Sequence, residues 1–247
     1  MKNLFNVAII LVIAVFAIST VFTSCKPDDE NGKVQLVKTI TYYDGKSTFY
    51  RNYEYDKKKR ITSISGYYEG GEVTDIITLM YSGDDLVRLT YIIGDELDLL
   101  VNFTKKGNKI TATFGFGEGI YGVAELNSDG EPIVMEVFEK SVNFQYFDGN
   151  LLKADHHDDF VITYKYDNKK SPFYNCKTPK WLPICYDYGL PHILAMKNNV
   201  IEYSAGESWE EFIYEYDNNG FPTEMYYHLK YNYMFPNERT GLLTFTY

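Results

Sequence analysis

The chain has 247 residues, with 24 Lys+Arg against 34 Asp+Glu and a net charge of −10 at pH 7. Binding to a phosphate backbone depends on cationic side chains displacing counterions, so an acidic chain without a concentrated basic face excludes nucleic acid as an expected partner. Charge-driven attachment to an anionic membrane is excluded for the same reason.

The first element is apolar. Lys2 precedes an uninterrupted apolar run from Val7 to Ile18, shorter than the roughly 20 residues a spanning helix needs. Phe22-Thr23-Ser24-Cys25 follows, a bulky apolar residue and two small ones before a cysteine. This resembles a lipobox, at which residues 1–24 are removed as a signal peptide and Cys25 is lipidated. Each buried acyl methylene contributes about 0.8 kcal/mol, so two or three chains hold a protein on a membrane without a spanning segment. Residues 25–33 then read as the lipidated cysteine and a flexible polar tether, and 34–247 as a single domain, a length usual for one β-domain.

From Val34 onward, aromatic alternation, a turn of Asp, Asn, Gly or Lys, and a second alternating run recur. The clearest copies are Tyr53-Glu-Tyr55-Asp56 with its Lys57–Arg60 tip, Tyr164-Lys-Tyr166-Asp167-Asn-Lys-Lys170, and Tyr214-Glu-Tyr216-Asp217-Asn-Asn-Gly220. Weaker ones surround Gly83, Gly107, Gly130 and Gly149. Asp, Asn and Gly tolerate the left-handed angles of tight turns, and apolar residues at every second position mark half-buried strands. The expected fold is all-β: an antiparallel meander of hairpins forming a curved half-barrel or a barrel-like sheet, since an open edge invites aggregation.

Ser171 to Asn199 interrupts the pattern. Pro172, Pro179, Pro183 and Pro191 exclude a central strand, and Pro191 to Asn199 reads as a short helix begun by proline. This insert is expected to pack across the sheet or plug its opening. It holds Cys176 and Cys185, whose bridge would close the intervening loop and stabilise it by a few kcal/mol; two free buried thiols are the other reading.

The Tyr-x-Tyr-Asp-x-x-Gly hairpins resemble the YD repeats of Rhs-type surface proteins. More specifically, Tyr166-Asp-Asn-Lys-Lys-Ser-Pro172-Phe173, the Pro-rich insert, Lys197-Asn-Asn-Val200 and Tyr214-Glu-Tyr216-Asp-Asn-Asn-Gly-Phe-Pro-Thr223 resemble a family of Bacteroidota lipoproteins of unknown function with a porin-like β-fold. The resemblance covers essentially the whole mature chain and is sharpest from Tyr164 to Thr223. It implies a barrel or half-barrel and an envelope location, and brings no catalytic residue with it. Lys57–Arg60 departs from the pattern by lacking a glycine. Lys26-Pro-Asp-Asp-Glu-Asn-Gly32 also resembles the surface-export signal of such lipoproteins, or is a solvated linker. Porin-like does not here imply pore-forming: outward positions carry Lys, Glu, Asn and Thr, where a lipid-facing barrel needs an apolar band.

Chemical motifs are sparse. Gly117-Glu-Gly119-Ile-Tyr-Gly122 has dinucleotide-site spacing, but a short strand follows where a helix is required, so it reads as a hairpin bend. Asp155-His156-His157-Asp158-Asp159 offers metal-ligand types in a loop, and adjacent strand residues could not converge on one ion. No nucleophile elbow or zinc-protease motif is present. The expectation is a non-catalytic envelope lipoprotein without cofactor or metal, binding a glycan, a peptide or a partner protein. A carrier of an apolar ligand is the alternative, and a glycan-active hydrolase the third. Trp181, Tyr186 and Tyr188 lie where strand periodicity does not account for them, and are the candidate ligand surface.

Overall fold

A computed structural model describes residues 34–116, 119–137, 140–156, 160–182, 196–206, 208–231 and 239–247. The first half forms β1 (Thr39–Tyr43), β2 (Thr48–Tyr55), β3 (Ile61–Tyr68), β4 (Val73–Ser82), β5 (Asp85–Ile93), β6 (Glu96–Lys106), β7 (Lys109–Phe114) and β8 (Ile120–Leu126). The second forms β9 (Pro132–Val137), β10 (Lys140–Phe147), β11 (Asn150–Asp155), β12 (Val161–Lys170), β13 (Asn198–Ala205), β14 (Ser208–Tyr216), β15 (Pro222–Tyr231) and β16 (Arg239–Thr246). Every strand pairs antiparallel with its neighbour in sequence, and β1 pairs with β16 through Thr39↔Thr246 to Tyr43↔Leu242. The sheet is therefore a closed barrel, which removes both edges.

One hairpin design recurs at the end where the insert lies. Asp56, Asn127 and Asp217 each end or follow a strand and accept backbone N–H groups two and four residues on: Lys58 and Arg60, Asp129 and Glu131, Asn219 and Phe221. Three residues after each, the chain turns left-handed at Lys59 (φ 66°), Gly130 (φ 75°) and Gly220 (φ 79°). The glycine missing from the first turn is thus replaced by a lysine forced into the same backbone angle.

The returning strand then carries a bulge. Thr62, Leu152, Ile201 and Thr223 are each skipped in the pairing register. A bulge interrupts the ladder and strands the carbonyl beside it. In all four cases an inward tyrosine from a neighbouring hairpin donates its hydroxyl to the carbonyl just before the bulge. Tyr81 donates to Ile61 (3.0 Å), Tyr166 to Leu151 (2.6 Å), Tyr214 to Val200 (3.0 Å) and Tyr247 to Pro222 (2.9 Å). Tyrosine delivers both an apolar ring and the donor that the bulge requires.

The inner face is a packed core. Ile40, Ile61 and Val101 are fully excluded from solvent, within a continuous cluster that takes in strands of both halves together with Phe173 and Trp181 of the insert. A water-filled lumen would leave such positions wet. A second cluster, around Leu151, Ala154, Tyr164 and Met196, fills the wall from β10 to β13. The outer face along β11 to β15 is mixed, carrying Lys153, Lys165, Glu202, Glu211 and Glu224 among the exposed Leu152, Ile201, Ile213 and Tyr226, so no uninterrupted apolar band runs through it.

Two expectations change in detail. Asp167 to Lys170 do not form a free turn; they remain in β12, where Lys170 pairs with Asn198 before the chain leaves into the insert. Met196 to Asn199, the described part of the expected helix from Pro191, are not helical, Asn198 and Asn199 belonging to β13; residues 191–195 lie outside the described residues.

Candidate ligand-binding cleft beside the insert

The described part of the insert, Ser171–Leu182, is held inside the end of the barrel by backbone and side-chain bonds. Pro172 and Pro179 prevent it from joining the sheet, so its polar groups bond to hairpin tips instead. The Thr178 hydroxyl accepts from Ile61 N at 2.8 Å, Lys177 N donates to Lys59 O at 2.9 Å, and Asn175 Nδ2 donates to Gln35 O at 2.9 Å. Phe173 packs edge-on against Tyr53, and Trp181 edge-on against Phe103 with centroids 5.1 Å apart.

Trp181 is 5% exposed and packs as a plug residue against the core, and it also borders the cleft beside the insert. Tyr186 and Tyr188 lie outside the described residues. Cys176 is a free thiol that donates to the Thr178 hydroxyl at 3.2 Å, and burial pushes its pKa up. Its expected partner Cys185 lies outside the described residues.

Where the insert meets the β4–β5 and β8–β9 hairpin tips it leaves a cleft of about 360 Å³. One wall is Asp84, Asp85 and Lys105; a second is Asp129 and Gly130; the insert supplies Tyr174, Lys177 and Lys180. The charges are graded in their commitment. Lys180 is 2.6 Å from Glu131, which is 3% exposed, and so locks the insert to the β8–β9 tip. Lys58 lies 2.5 Å from Asp84, and its hydrogen bond holds that carboxyl below the usual range. Lys105 and Asp85 are 3.8 Å apart, a loose exposed pair worth little in water. Asp129 and Lys177 have no ion-pair partner among the described residues. The cleft therefore presents free or weakly held charges of both signs.

The Asp84-Asp85 pair sits in a weak hairpin copy, and Lys105, Asp129 and Lys177 each read as an ordinary tip charge. Only the insert, folded back across these tips, brings them together. No spacing in the sequence signals that convergence.

The remaining candidates resolve separately. The bend after β7 leads into strand β8 and no helix, although Gly117 and Glu118 lie outside the described residues. His156 stacks on Phe160 at 4.4 Å, while residues 157–159 lie outside the described residues. Among the described residues no cluster has the composition of a metal site. Among the described residues Asp75 and Glu131 are buried carboxylates and Glu210 is half-buried, each with its own partner. Asp75 pairs with Arg51 across Gly66, where a side chain would collide with Asp75. Glu131 pairs with Lys180. Glu210 faces Tyr203 across the β13–β14 ladder, with its pKa raised by burial.

No protein-family model matches the chain, and no curated protein matches it. Solved structures do. A porin-like protein from Bacteroides uniformis shares 13% identity with a TM-score of 0.50, over 85% of this chain and 96% of that one. A porin-like protein from Bacteroides vulgatus shares 14% identity with a TM-score of 0.40, over 87% and 99%. At these identities the first likeness concerns the fold: this chain has the porin-like β-fold known from Bacteroides.

Proposed function

We propose that this is a non-catalytic binding protein of the cell envelope, anchored in the outer membrane by lipid on Cys25, which holds an extended charged peptide in the cleft beside the insert. The packed core and an outer wall without an uninterrupted apolar band favour a tethered barrel over a pore. The lipobox-like Phe22–Cys25 supplies an anchor that needs no spanning strand.

The observation that carries the reading is the cleft with both signs of charge available, Asp129 and Lys177 foremost. A peptide offers complementary side chains and a backbone to match. A glycan would call for an open aromatic stacking face, and Trp181, which borders the cleft, is 5% exposed.

The test is a peptide-display selection on residues 26–247, run beside a glycan array. Peptides carrying both charge signs should be enriched, and the Lys177→Glu and Asp129→Lys variants should lose them. Enrichment indifferent to both substitutions, or capture of glycans alone, would refute the proposal. Mass spectrometry of the envelope form reads the anchor directly, as acyl mass on Cys25.

A further inference from the structure

The end of the barrel away from the insert gathers exposed apolar side chains beside acidic hairpin tips, and this surface is independent of the cleft. Between β4 and β8 its outer rim is apolar. Pairing places Ile76, Ile92 and Leu97 side by side across three strands. One step down, Leu100 lies over Gly115, whose missing side chain leaves room for it. Leu97 is 44% exposed, Phe116 69% and Ile120 65%. Solvent-facing leucine, phenylalanine and isoleucine this close together mark a surface that is covered in use.

The hairpin tips around the patch are acidic. Glu69 and Glu72 flank the β3–β4 turn, and Asp95, Glu96 and Asp98 the β5–β6 turn; all five are exposed and without an ion-pair partner among the described residues. Lys46 is the one cation among the described turn residues joining β1 to β8 at this end. Apolar centre and acidic border together select the occupant. A second copy would bring the same acidic border against this one, and an anionic membrane would repel it. A segment with aliphatic residues on one face and Lys or Arg on its flanks satisfies both parts.

We infer that this rim docks a cationic amphipathic segment of a partner protein, with Leu97, Phe116 and Ile120 against its apolar face and the five carboxylates against its cations.

The probe is a fluorescein-labelled amphipathic Leu/Lys peptide, titrated by anisotropy against residues 34–247, which contain all sixteen strands of the closed barrel. A Leu/Glu peptide of the same pattern is the control. The Leu/Lys peptide should bind, and the Leu/Glu peptide should not. Leu97→Ser with Ile120→Ser should weaken binding roughly tenfold or more, as for central residues of an interface. Asp95→Asn with Glu96→Gln and Asp98→Asn should weaken it and flatten its salt dependence. Lys177→Glu, in the cleft, should leave it unchanged. The inference is overturned by absence of Leu/Lys binding, by equal binding of the two peptides, or by affinity that survives both sets of rim substitutions. It is likewise overturned if the protein co-floats with phosphatidylethanolamine/phosphatidylglycerol vesicles and the serine variant does not, since that assigns the rim to a membrane.

Discussion

Replacing Tyr166 by Phe removes one oxygen and leaves the ring, so it tests the short bond between an inward tyrosine and a bulge carbonyl, beside a longer contact of the same hydroxyl with Met196 Sδ at 3.4 Å. Tyr166 Oη donates to Leu151 O at 2.6 Å, and Leu151 is 3% exposed. Water cannot readily replace the lost donor. A typical net hydrogen bond contributes about 1 kcal/mol, and a buried group left unsatisfied costs about 1–3 kcal/mol. Tyr166→Phe should therefore destabilise by about 1–2 kcal/mol, a fall in Tm of about 2–8 °C for a domain of this size. The matched control is Tyr55. Its ring is also inward, at the equivalent place before the first turn, but its hydroxyl is buried without a partner among the described residues. Tyr55→Phe should leave stability unchanged or raise it slightly, because an unpaired polar atom leaves the core. Guanidinium titration and thermal melts followed by circular dichroism measure both. Equal losses in the two variants would show that hydroxyl count, and not the bulge carbonyl, sets the cost, and the account of the repeat would fail.

Two further predictions concern the backbone and the interior. Lys59→Gly should stabilise by about 0.5–1 kcal/mol, since a left-handed lysine costs about 1–2 kcal/mol and the greater freedom of glycine in the unfolded chain returns only part of that; Gly220→Ala at the equivalent position should destabilise, and a Lys59→Gly protein that melts no higher than the parent refutes the turn assignment. Glu210 has a folded pKa raised first by burial, so its contribution to stability is present below the unfolded carboxylate range and is lost as pH rises through the folded value. Glu210→Gln should accordingly melt higher than the parent at pH 8 with the difference closing toward pH 4, and a difference constant with pH would count against a desolvated carboxyl there.

The hairpins were legible in the sequence because their cause is local. Asp56 and Asp217 cap their own turns, and alternation assigns Tyr164, Tyr166, Met225 and Tyr227 to one face within a few residues. Closure was not legible in the same way. The pairing of Thr39 with Thr246 joins nearly the whole chain, and alternation within β1 and β16 is equally compatible with an open edge. The prolines announced that the insert leaves the sheet, but whether Trp181 faces solvent or core depends on Phe103, far away in sequence. The cleft was the least legible part, being built from tip charges on separate hairpins that acquire a common direction only when the insert crosses them.

The 24 tyrosines can now be weighed against the sugar-platform reading. A meander of sixteen strands with repeated bulges at one end generates a matching series of interrupted carbonyls on the inner face. Water would satisfy them only by entering the core, and Ser or Thr side chains are too short to reach from the adjacent hairpin. Phenylalanine would fill the space but leave the carbonyl orphaned; a charged donor would bring a desolvation cost larger than the bond it makes. Tyrosine meets both demands at four of these bulges, donating from a neighbouring hairpin in each case. That coupling gives Tyr81, Tyr166, Tyr214 and Tyr247 one role although they stand at different offsets from their turns. It also removes them from the pool of residues that need a ligand to account for them. Among the side chains this structural demand leaves unexplained are the exposed Phe116, Leu97 and Ile120 at the opposite end, the surface from which docking of a cationic segment is inferred.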